Sequence, residues 1–179
     1  MSVDKRYELN RIVKESIVQS LFLLMRQKPF SDITVTNIIE KAGVARASYY
    51  RNFYSKEAIL RDYVYEIIQN CKKEIPYSSG RLTYENLCLL FNYIAHYSEL
   101  LKTLFHSGLS GLFLDSLNLY FQETRGEVLQ GNFNIWTLYA YSGALFNIIN
   151  KWIEEDMRQS PEEIAKSFYS IWELGGCQP

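Results

Sequence analysis

Residues 34–56 read Thr34-Val-Thr-Asn-Ile-Ile-Glu-Lys-Ala-Gly-Val-Ala-Arg-Ala-Ser-Tyr-Tyr-Arg-Asn-Phe-Tyr-Ser-Lys56. Thr34 is a natural N-cap, with Asn37 at the third helical position, for a short helix ending at Ala42. Gly43 stands where a helix closes in the left-handed conformation that glycine adopts cheaply, and Val44 supplies the apolar contact that locks such an end. A second short helix runs from Arg46 to Asn52, and Ser55 caps a longer one reaching about Glu74. Two short helices around a glycine turn, the second ending where a further helix begins, make a helix-turn-helix.

On the second of these helices, Tyr49 and Phe53 are four apart and, with Val44, should face inward toward Ile38. Arg46, Ala47, Tyr50 and Arg51 then share the opposite face. Arginine can take guanine O6 and N7 bidentately, and alanine can meet a thymine methyl. Ser48, Tyr50 and Asn52 can donate to flanking phosphates, as can Thr34 and Thr36 across the groove. Lys56 adds its charge to the free N–H groups that begin the next helix, a place that favours phosphate. The bland alternative, a solvated helix whose tyrosines cover an apolar seam, serves for any single residue but not for the whole spacing.

Working outward, Leu9, Val13, Ile17, Leu21 and Leu24 recur at helical steps, giving a first helix from about Asp4 to Gln27 with one buried stripe, stopped before Pro29. Residues 1–56 carry ten Lys/Arg against five Asp/Glu, and residues 57–179 carry nine against fifteen. A basic anion-binding module, 1–56, followed by an acidic body, 57–179, accounts for that asymmetry. Ile75-Pro-Tyr-Ser-Ser-Gly-Arg81 is the clearest break. Beyond it the periodicity predicts helices near 83–97, 98–106, 109–128, 133–157 and 161–174, the last opened by Ser160-Pro161 and closed by Gly175-Gly176. The expectation is an all-α protein of about nine helices: a three-helix N-terminal domain and a larger bundle.

In the body, Ala140, Gly143, Ala144 and Asn147 make a small-residue face following Trp136, and Ile164, Phe168, Ile171 and Trp172 add an apolar face on the last helix. Together these exceed what one body readily buries and suggest an isologous four-helix contact in a homodimer. Asn147 either bridges helices or faces water at an edge.

The stretch Val35 to Leu60 is similar to the N-terminal signature of the TetR/AcrR family of bacterial transcriptional regulators. Its elements are Thr34-Val35, Ile38, Ala42-Gly43-Val44, Ser48-Tyr49-Tyr50-Arg51-Asn52-Phe53, Ser55-Lys56-Glu57 and Leu60. The resemblance implies that the helix containing Arg46 to Asn52 enters the major groove of double-stranded DNA. Arg46 and Ala47 would read bases with a contribution from Thr36, while Ser48, Tyr50, Asn52 and Lys56 would hold phosphates. Two positions depart: Ala45 replaces a frequent capping serine, and Asn52 replaces a favoured histidine. The family also implies dimerisation through the last two helices and an effector pocket in the bundle. Phe91, Tyr97, Phe105, Phe113, Tyr120 and Phe121 are the candidate lining for a small apolar or aromatic molecule, a filled core being the equal alternative. The run Ser142 to Ile164 resembles a subgroup that includes regulators of dihydroxyacetone-kinase operons, some acting with a protein co-regulator.

Other chemistries have little footing. His96 and His106 lie ten apart with no acidic partner spacing, so no metal or cofactor is expected. There is no nucleophile elbow or phosphate-binding glycine loop, so no enzyme is expected. Three scattered cysteines, Cys71, Cys88 and Cys177, and no apolar run fit to cross a membrane lead to a cytoplasmic expectation. The functional expectation is a homodimeric DNA-binding repressor on an inverted repeat. The alternative is a helical protein-interaction co-regulator with little DNA binding of its own.

Overall fold

The computed structural model describes residues 3–75, 83–123 and 134–174. Among them are nine α-helices, one 3-10 turn and no strand: α1 Val3–Met25, the turn Phe30–Asp32, α2 Val35–Ala42, α3 Arg46–Asn52, α4 Lys56–Glu74, α5 Tyr84–His96, α6 Ser98–His106, α7 Ser110–Glu123, α8 Ile135–Glu154 and α9 Pro161–Leu174. The chain divides into two compact units, Met1–Tyr63 and Val64–Pro179, the division falling within α4.

In the first unit, α1 packs on α2 and α3. Ile17, Leu21, Ile33, Ile38, Tyr49, Phe53, Ile59 and Leu60 form the core. The buried stripe of α1 starts later than its period suggests, since Leu9 is exposed, Val13 is only half-buried and full burial begins at Ile17. A helical repeat shows which side of a helix is apolar, but not where along the helix a packing partner stops. Gly43 closes α2 at φ 63° and ψ 30°, its N–H directed at the Glu40 and Ile39 carbonyls. The Val44 N–H also reaches Ile39 O, at 3.3 Å. That is the glycine closure expected at this point.

The second unit pairs α5 with α9 and α7 with α8. Phe91 anchors the first pairing, its ring 6.0 Å from Trp152 and 6.1 Å from Phe168, both edge-on. The predicted helix over 133–157 stops at Glu154 instead, because Asp156 and Met157 take φ of 57° and 54°. The Met157 N–H bonds Trp152 O at 2.8 Å and the Asp156 N–H bonds Ile153 O at 2.9 Å. This is a glycine-type closure built without glycine, and so carries no sequence signal. The expected break over 76–81, the end of the 109–128 helix beyond Glu123, Gly175-Gly176 and Cys177 lie outside the described residues.

Candidate nucleic-acid interface

α2 begins with a reciprocal cap. Thr34 Oγ1 accepts from the Asn37 N–H at 3.1 Å, and Asn37 Oδ1 accepts from the Thr34 N–H at 3.1 Å. Asn37 Oδ1 also accepts from Lys28 Nζ at 2.6 Å, which ties the end of α1 to the start of α2. The cap leaves the Thr34 hydroxyl hydrogen available to a phosphate, and Thr36, two residues along, is exposed.

α3 has the two faces that its spacing predicts. Tyr49 and Phe53 are buried, while Arg46, Ala47, Tyr50 and Arg51 are exposed, with Tyr50 at 51%. The Arg46 guanidinium lies 5.5 Å from the Tyr50 ring centroid and donates to its hydroxyl at 3.3 Å. Stacking on a phenol and a hydrogen bond both restrict a long cationic side chain before any ligand arrives. Ala45 at the N-cap provides no side-chain bond, so α3 begins with its first N–H groups uncapped by any side chain. Ser48 is half-buried, and Asn52 Nδ2 donates to Ser48 O at 2.8 Å, so one of its amide hydrogens is held within the helix.

Lys56 sits otherwise than its place in the sequence suggested. Its ammonium donates to Phe30 O at 2.5 Å, Ser31 O at 3.2 Å and Ile33 O at 2.9 Å, and lies 4.4 Å from the Phe30 ring centroid. Those three carbonyls belong to the 3-10 turn at 30–32 and to Ile33, its C-cap. Tyr54 and Arg61 stand outside the expected set of contact residues. Tyr54 is exposed just past α3, and its hydroxyl accepts from Arg61 Nη1 at 2.8 Å.

In the second unit, a cavity of about 90 Å³ is walled by Tyr93, Tyr97, Phe113, Tyr120, Phe121 and Tyr141 with aliphatic side chains of α4, α5, α6, α7 and α8. Phe91 and Phe105, expected beside them, are absent from that wall. Phe91 turns to Trp152 and Phe168, and Phe105 stacks on Phe146 at 5.8 Å. Phe168, expected on an outer face, is buried against Phe91 and reaches the cavity, because α9 lies along α5. Among the described residues no charged side chain lines the space. Cys71, also in its wall, has its thiol pushed up to about 12, chiefly by burial and then by Glu74. On α8, Trp136 is 79% exposed, and Ala140 and Asn147 are also exposed. Gly143, Ala144 and, on α9, Ile164 are half-buried, while the side chains of Ile171 and Trp172 lie outside the described residues. Among the described residues no helix is long and apolar enough to cross a membrane, and no three His, Cys, Asp or Glu gather as metal ligands.

Residues 17–63 match the family model described as bacterial regulatory proteins, tetR family, and residues 83–173 match that described as transcriptional regulator C-terminal region. No curated protein matches the chain. Among solved structures, a TetR transcriptional regulator from Streptococcus agalactiae 2603V is 16% identical, with 95% of this chain and 98% of that one covered, at a TM-score of 0.63. The dihydroxyacetone kinase operon activator DhaS is 17% identical over 91% of this chain and 95% of its own, TM-score 0.56. Thermus thermophilus FadR, a TetR-family transcriptional repressor in complex with lauroyl-CoA, is 20% identical over 93% and 95%, TM-score 0.54. At these identities the likeness is one of fold.

Proposed function

We propose, from the premise that this chain belongs to the tetR family of bacterial regulatory proteins, that it acts as a homodimeric repressor on an inverted-repeat operator. Regulation of transcription through DNA binding follows from the family. The observation that carries it is the two-faced α3: Tyr49 and Phe53 seal the core while Arg46, Ala47, Tyr50 and Arg51 stand exposed together. Arg46 and Ala47 read base edges. Thr34, Thr36, Ser48, Tyr50, Arg51 and Asn52 position the backbone.

One recognition helix reads too few base pairs to select a genomic site, and two related by a dyad read an inverted repeat. The exposed stripe of α8 through Trp136, Ala140 and Asn147 supports a second copy there. Sedimentation of the wild type against Trp136→Glu measures this, with a shift toward monomer expected. The test of the whole reading is duplex selection from a random library, followed by footprinting of the region upstream of the chain's own gene. Protection of an inverted repeat upholds it, and absence of any retarded complex at low salt overturns it.

The uncharged cavity supports an apolar effector whose preference for one of two conformations alters DNA affinity. At about 90 Å³ it lies well below the ~300–1,000 Å³ of drug-sized sites, so a larger molecule would have to widen it. DhaS is described as an operon activator, which favours activation as a second reading of the sign. A promoter-fusion reporter with and without the gene distinguishes the two.

A further inference from the structure

Lys56 is the residue whose surroundings depart furthest from what its place in the chain suggests. An ammonium has three N–H donors and no acceptor, and here three backbone oxygens stand within hydrogen-bond distance, at 2.5, 3.2 and 2.9 Å. The bonds to Phe30 O and Ile33 O are partly buried, so a phosphate drawing Lys56 outward would leave those carbonyls without their charged partner. The Phe30 ring face, 4.4 Å from the ammonium, holds it on the same side.

The partners lie 26, 25 and 23 residues away in sequence. The contact therefore closes a ring around the entire two-helix stretch 34–55. On one side of the ring, Ile33 is buried and Thr34, the next residue, caps α2. On the other, Ser55 Oγ accepts from the Ala58 N–H at 3.1 Å and caps α4, which begins at Lys56, with three residues between it and the end of α3. Fixing both ends of a chain segment narrows the poses open to what lies between.

We propose that Lys56 is a positioning residue: its ammonium clasps the turn at 30–33 to the first turn of α4, sets the pose of α2 and α3 for DNA, and neutralises no phosphate. The proposal rests on the DNA-binding reading, and its test keeps the two apart. The full chain and a short duplex that the wild type selects from a random library are used, at a temperature where every variant is folded by circular dichroism. Lys56→Met and Lys56→Arg should both weaken binding, by about tenfold. The planar guanidinium fork cannot serve three converging carbonyls as the ammonium does. The slope of log affinity against log salt should stay at the wild-type value.

A phosphate contact predicts the reverse: Lys56→Arg binds like the wild type, and Lys56→Met lowers the slope by about 0.9 per protomer. Either result, or unchanged affinity in both variants, overturns the proposal. If Lys56→Met does not fold, the wild-type Lys56 ammonium is followed by proton–nitrogen NMR. A resonance that holds its position when the duplex is added upholds the clasp, and one that moves overturns it. If the wild type selects no duplex, the DNA-binding reading has failed. The clasp is then judged by hydrogen exchange at 34–38 in DNA-free Lys56→Met, where faster exchange upholds it and unchanged exchange overturns it.

Discussion

The Arg46 guanidinium rests over the Tyr50 ring, 5.5 Å from its centroid, with its Nη2 3.3 Å from the Tyr50 hydroxyl. Both residues are exposed on α3, so the pair is held by its own geometry and not by the core. Arg46→Ala should cost about 1–3 kcal/mol of operator binding and relax the base preference at one position per half-site. Tyr50→Phe keeps the ring and loses the hydroxyl, so its cost should be smaller. Because the two side chains touch, their effects should not add. A double-mutant cycle read by operator titration checks this, and strict additivity would remove the pairing from the account.

Ala45 precedes α3 with φ −69° and ψ 144° and no side-chain cap. Ser carries the missing acceptor at the same backbone conformation. Ala45→Ser should stabilise the first unit by about 1 kcal/mol, seen as a raised urea midpoint with unchanged m-value.

Gly43 has φ +63° with open space where a Cβ would stand. The cost of Gly43→Ala is therefore conformational alone, about 1 kcal/mol. Thermal unfolding should show the loss, and DNA affinity should fall with it, since this turn sets the angle between α2 and α3. An unchanged melting temperature would contradict the left-handed closure.

The Tyr49 hydroxyl is buried with no hydrogen-bond partner among the described residues. Tyr49→Phe should leave stability unchanged or raise it by about 1 kcal/mol, because the unpaired group is removed and the ring kept. The phenol is pushed up to about 12, first by burial and then by Tyr50 and Glu57. A folded-state value above the unfolded one means that the stabilising contribution is whole below pH 10 and is lost as pH rises through about 12, where the unfolded chain ionises first. Denaturant titrations from pH 9 to 12 should show a shallower decline for Tyr49→Phe than for the wild type.

Local chemistry was legible from the chain alone: Thr34 and Asn37 capping α2, Gly43 closing it, Tyr49 and Phe53 opposite Arg46 and Tyr50, and helix order to within a few residues. Each depends on groups one to four positions apart, whose geometry the backbone period fixes. The early end of α8 was not legible, because Asp156 and Met157 adopt left-handed backbone that their side chains do not announce.

What the sequence determined by itself was the class of fold and the two-faced α3. The tertiary structure alone decided that Lys56 turns to Phe30, Ser31 and Ile33, that Phe168 faces Phe91, and that Phe105 leaves the cavity for Phe146. The reason is one of range. Periodicity names the apolar or charged side of a helix, but which distant group meets it depends on how separate helices pack, and no local spacing encodes that choice.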